Sequence, residues 1–174
     1  IFLTKDGETT TEWKAEDQVV CGDAMPECSG TFGINMDYRG IFLNMSFYYQ
    51  FGGQTYNQTL VDRVENANVG LNVDKRIYNA VWKKPGDRVD FSYNPYRLTK
   101  PSSRFVQDLN ELRLSSLNVG YDFRHCAFLK KSRLQQLKAS FYMDDVFRAS
   151  TVKTERGLTY PFARTFSFSL QATF

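Results

Sequence analysis

One histidine, three cysteines and a scatter of carboxylates are the side chains of this 174-residue chain that could do chemistry. Their spacing argues against most of it. His125 stands beside Cys126. A Cys–His dyad needs the imidazole to reach the thiol and a third group to orient it, but neighbours on an extended segment point to opposite sides. Cys21 and Cys28, seven apart in a loop-like stretch, could pair in an oxidising compartment, although the odd cysteine count favours unpaired small residues. With no CxxC and a single histidine, a zinc ligand set is missing. Asp17 and Asp23 lack the Asp-x-Asp-x-Asp-Gly spacing of a calcium loop. Asp144-Asp145 reads as a solvated strand end rather than a metal pair, with Lys138 available to neutralise one charge. No Gly-rich phosphate loop and no pair of acids with a cleft can be identified. The expectation is a chain without catalysis and without a cofactor.

Binding is the remaining chemistry. Arg104, Asp108, Glu111 and Arg113 crowd charge near the end of one predicted strand. They could line a solute path or meet a partner; a solvated loop base is the plainer reading. Tyr48 and Tyr142, with Phe42 and Tyr49, could stack on sugars, whereas an interfacial aromatic girdle or simple space filling is the commoner use of such residues. The net charge of +3 is mild and the basic residues form no block, so nucleic-acid binding has no electrostatic footprint. Aromatic content is high at 16%, from 15 Phe, 10 Tyr and 2 Trp. Mean hydropathy is −0.44, and no apolar run approaches the ~18 residues of a transmembrane helix. A transmembrane β-barrel stays open, because its strands give half their residues to a polar lumen.

Strands must position these residues. From Thr165 to Phe174 polar and apolar residues alternate without error, with Phe166, Phe168, Leu170, Ala172 and Phe174 on one face. Such strict period-2 patterning predicts a half-buried strand. Thr31–Tyr38 and Phe42–Phe51 alternate likewise around a two-residue Arg39-Gly40 turn. That turn sets Tyr38 against Ile41, Met36 against Leu43, Ile34 against Met45 and Phe32 against Phe47, so pattern and turn choose one register. Leu112–Phe123 is a third strand whose phase slips at Ser115-Ser116, where a β-bulge is expected. The fourth runs from Leu137 to about Met143. Residues 1–30 read as a loop. Between about 52 and 103 the alternation stops, and two short helical patterns appear, at Asn57–Asn66 and at Asp74–Lys84, the second capped by Asp74 and stopped by Pro85-Gly86. The long connections at 52–103 and 148–163 fall at one end of the strands and the turns at 39–40 and 124–136 at the other, as a barrel wall requires. The prediction is an all-β, antiparallel transmembrane barrel fragment of about five strands over residues 1–174, with one long outer loop. Since Ile1 is neither an initiator Met nor part of a signal peptide, the chain reads as the C-terminal part of a longer polypeptide. A soluble β-sandwich carbohydrate-binding module is the rival.

The residues also resemble a known family. Gly22-Asp-Ala-Met-Pro26, Gly30 to Gly40, Phe51-Gly-Gly-Gln-Thr-Tyr-Asn57, Asn72-Val-Asp-Lys-Arg76, Trp82-Lys-Lys-Pro-Gly-Asp87, Ser102 to Tyr121 and Tyr160 to Ser167 follow one another. They do so as in the C-terminal barrel of SusC/RagA-type TonB-dependent outer-membrane transporters of Bacteroidetes. Each motif is weak alone; their order and spacing make the match, which covers nearly the whole chain. Met143-Asp-Asp-Val-Phe147 departs from the Asn-Leu-Phe ending of many relatives. The resemblance implies a plugged barrel of about 22 strands in the Gram-negative outer membrane. It also implies TonB-driven import of oligosaccharides or peptides, with TonB engaged through a region missing here, and a SusD-like surface lipoprotein lidding the outer face. Phe174 would be the C-terminal signal read by the barrel-assembly machinery.

Overall fold

The computed structural model describes residues 1–68, 70–92, 98–131, 134–153 and 163–174. They form two compact units: Ile1–Met25 with Gly53–Asp108 and Val152–Pro161, and Pro26–Gly52 with Leu109–Thr151 and Phe162–Phe174.

In the first unit, β1 (Phe2–Leu3) pairs with β2 (Thr9–Thr10) around the Asp6-Gly7 turn. This stretch was expected to be only loop. Two residues per strand are too few for an alternation to show, and the pair is held by the turn, with Thr4 N–H donating to the Glu8 carbonyl at 2.8 Å. The long connection has its own small core of Leu60, Val61, Val64, Val81 and Phe105, against which Ile77 and Phe91 pack. Asn57 caps α1 (Gln58–Leu60), which continues as a π-helical turn over Val61–Glu65. Asp74 caps the second predicted helix as expected, but only a 3-10 turn, Lys75–Tyr78, forms. Beyond it Val81 pairs with Phe91 instead, with Trp82 N–H on the Phe91 carbonyl at 2.9 Å and Phe91 N–H on the Ala80 carbonyl at 3.1 Å. A β-branched residue next to tryptophan gains more from extended pairing into a core than from two further helical turns.

A five-stranded antiparallel sheet holds β3 (Cys28–Tyr38), β4 (Ile41–Tyr56), β5 (Val106–Asp122), β6 (Gln136–Ser150) and β7 (Phe166–Thr173), in chain order. The sheet is open rather than closed on itself, with β3 and β7 at its edges. Arg39 (φ 49°) and Gly40 (φ 92°) both take positive φ, the handedness a two-residue hairpin needs. Tyr38 faces Ile41, Met36 faces Leu43, Ile34 faces Met45 and Phe32 faces Phe47, as the pattern demanded. The Phe32 and Phe47 rings stack at 4.8 Å. In the β6–β7 ladder Phe141 meets Phe168, Met143 meets Phe166 and Ser140 meets Ser169.

Four strands run further than the alternation indicated, β3 among them, since it starts at Cys28 rather than Thr31. β4 passes Gly52-Gly53 to reach Tyr56, β5 starts at Val106 rather than Leu112, and β6 ends at Ser150 rather than Met143. Ladder bonding belongs to the backbone, so it outlasts the apolar pattern wherever both faces turn polar. The expected connection at 148–163 therefore loses its first three residues to β6, and its part at 154–162 lies outside the described residues. The turn between β5 and β6 contains a 3-10 turn, Phe123–His125, and α2 (Ala127–Lys131). Among the described residues no helix is long and apolar enough to cross a membrane, which has no bearing on strands.

Candidate binding face

Alternation sorts the second unit's side chains. Asn35 with Asn44, Gly33 with Ser46 and Thr31 with Tyr48 are paired on the polar face of the hairpin. The guanidinium of Arg113 lies 5.2 Å over the Tyr48 ring, which puts β5's charge on that same face. Tyr48 in turn donates its hydroxyl to Gln50 Oε1 at 2.7 Å.

Glu111 is the pivot. Only 5% exposed, it takes a 2.5 Å bond from Arg148 Nη2 on one oxygen and has Arg113 Nε 3.8 Å from the other. A carboxylate this buried persists because guanidiniums neutralise it. Arg148 was not among the expected site residues. It lies five residues beyond the predicted end of its strand, and the longer ladder is what brings it opposite Arg113. Tyr142 stands on β6 two residues before Asp144, to which its hydroxyl donates at 2.5 Å.

The other two members of the expected charge cluster fall in the first unit and have other occupations. Arg104 pairs with Glu65, which is 2% exposed and also accepts from Thr99 Oγ1 at 2.8 Å. Arg104 also covers the wholly buried Phe105 ring at 4.7 Å. Asp108 accepts from Gln54 Nε2 at 2.9 Å. Asp74, 1% exposed, behaves similarly: burial pushes its carboxyl up, but bonds from the Arg76 side chain and backbone outweigh this and hold it below the usual carboxylate range. No sequence signal marked Glu65, since a lone glutamate in a helical pattern looks solvated.

Lys138 corrects another expectation. Its ammonium is 3.7 Å from Asp122, not on Asp144. Cross-strand pairing sets Asp122 directly opposite Lys138, whereas Asp144 lies six residues along Lys138's own strand. Asp122 also holds Arg124 Nε at 2.8 Å and Gln136 Nε2 at 3.1 Å, and its N–H ties the Gly40 carbonyl at 2.7 Å. Cys21, Cys28 and Cys126 are all free thiols. Phe174 follows the last strand residue and is 81% exposed.

No family model matches the chain. It is similar to a TonB-dependent receptor P3 of Formosa agariphila, at 26% identity over 195 aligned positions that cover the whole chain and 19% of the relative. Its fold matches a chain of the RagAB peptide importer in the open-open state with a TM-score of 0.69 at 17% identity, covering 97% of this chain and 19% of the other. The closed-closed state gives 0.68 at 17% identity, over 99% and 20%. These relatives are a receptor and importers rather than enzymes. The chain spans about a fifth of the length of the proteins it matches. An ordered run of motifs, a sequence match along its whole length and the five-stranded sheet agree: this chain is similar in sequence to part of a TonB-dependent receptor and shares the fold of part of a RagAB importer chain.

Proposed function

We propose that the chain forms five adjoining strands in the wall of an outer-membrane barrel that imports peptides or oligosaccharides. Energy comes from TonB, through a region outside these residues, and a SusD-like lipoprotein acts at the outer face. The chain's chemistry is binding and passage, not catalysis. The connections that follow β4 and β6 belong to the outer face, and the turns that follow β3 and β5 to the periplasmic face. Two-facedness of the sheet carries this reading. Phe32, Ile34, Met36, Phe166, Phe168 and Leu170 are between 38% and 72% exposed, yet the partners of this face are apolar throughout the hairpin and the last ladder. A soluble protein seldom leaves so wide an apolar face open; lipid would cover it. Asn35, Asn44, Ser46, Ser169 and Gln171 would hydrate the lumen. The rival sandwich needs a second sheet over that face, and the only other sheet among the described residues is the two-residue pair β1–β2.

Arginine at Phe168 tests the topology in the full-length receptor. If that position lies near the bilayer midplane, Phe168→Arg should cost about 2–4 kcal/mol. The folded, heat-modifiable species in outer-membrane fractions should fall sharply, while Ser169→Arg on the other face should assemble. Equal assembly of the two variants would sink the proposal.

A further inference from the structure

The polar face sets two arginines side by side around one buried carboxylate. Arg113 and Arg148 are direct cross-strand partners on β5 and β6, and like charges directly opposite destabilise a ladder. Glu111 relieves this with one negative charge shared by two guanidiniums. It is shared unevenly: Arg148 Nη2 sits at 2.5 Å, whereas Arg113 Nε stays at 3.8 Å, beyond hydrogen-bonding distance. Arg113 Nε is itself buried and has no hydrogen-bond partner among the described residues. An unmet buried donor is costly, and its retention calls for a reason.

Arg113 is nevertheless held firmly. Tyr48 lies beneath its guanidinium at 5.2 Å and is itself fixed by its bond to Gln50. The side chain remains 41% exposed; with Nε buried, it is the outer edge of the guanidinium, its two Nη groups, that the aromatic platform presents on the polar face. A planar group with two oxygens and a single negative charge fits the fork of those two nitrogens. We propose that Arg113, on its Tyr48 platform and beside Glu111 and Arg148, binds a carboxylate of the transported solute. This deepens the importer reading and rests on it. The carboxylate could belong to an acidic peptide or to a uronic acid in an oligosaccharide.

Calorimetry on the purified full-length receptor with matched probes tests it. An Asp/Glu-rich decapeptide is compared with its amidated Asn/Gln counterpart, and trigalacturonic acid with neutral galactotriose. At least one acidic probe should bind about tenfold tighter than its neutral match, and Arg113→Gln should abolish that margin without weakening the neutral probe. Glu111→Gln, which removes the competing carboxylate, should tighten the acidic probe; a merely structural role for the cluster predicts loss of folded receptor instead. Acidic and neutral probes bound equally by the unaltered receptor would overturn the site whether or not the variants fold, as would Arg113→Gln weakening both alike. Uptake is read separately. A receptor that takes up the neutral probes with no acidic preference removes this site and leaves the importer standing, and one that takes up none of the four removes the importer reading itself.

Discussion

A side chain at position 120 would have nowhere to go. A Cβ built on Gly120 meets Phe42 Cζ at 2.3 Å and the Ala139 carbonyl oxygen at 2.4 Å. The phenyl ring can rotate aside, but the backbone oxygen cannot. Gly120→Ala should therefore destabilise the sheet by about 1–3 kcal/mol, read as a lower denaturant midpoint of the assembled receptor, and adding Phe42→Ala should not restore it. Arg104 and Glu65 form a second residue-scale case, because their burial is unequal: the arginine side chain is 49% exposed and the glutamate's 1%. Removing the arginine strands a buried carboxylate, whereas neutralising the glutamate leaves a cation that water can solvate. Arg104→Met should cost about 3 kcal/mol and clearly more than Glu65→Gln. The rate of limited proteolysis within 57–105 measures both, and a larger effect for Glu65→Gln would contradict the asymmetry.

Among the elements, the β5–β6 ladder shows how far pattern reaches. The slip in apolar phase at Ser115-Ser116 located an irregularity correctly, since Leu114 faces Phe147 and Ser116 faces Asp144. The extra residue, however, lies on β6, where Asp145 and Val146 stand against Ser115 alone. Asp145 makes the turn with φ 49°. Asp tolerates this left-handed conformation better than most residues, and glycine better still. Asp145→Gly should assemble at least as well as the parent, and Asp145→Val should lose about 1–2 kcal/mol, both visible as shifts in thermal unfolding of the receptor. Which strand carries a bulge was not legible, because the apolar slip appears in one strand while the left-handed residue that absorbs it is a charged position in the other.

At the scale of the whole molecule, among the described residues the sheet has two open edges, β3 and β7, and an apolar face without a second sheet over it. Unpaired strand edges and wide apolar faces both drive association. Expressed by itself, the 174-residue chain should sediment from plain buffer and disperse only in detergent; a monodisperse, folded monomer without detergent would restore the soluble sandwich reading.

The existence of the five sheet strands and the β3–β4 register followed from sequence alone, because a period of two and a two-residue turn are local properties that admit one consistent pairing. Charge partnership did not. Glu111 with Arg148, Glu65 with Arg104 and Asp122 with Lys138 lie 37, 39 and 16 residues apart. No periodicity links such positions, and a charged side chain looks the same in sequence whether water or a guanidinium receives it. Tertiary structure decided those pairs, because burial of one carboxylate makes the nearest cation obligatory, and ladder register or loop packing determines which cation is nearest.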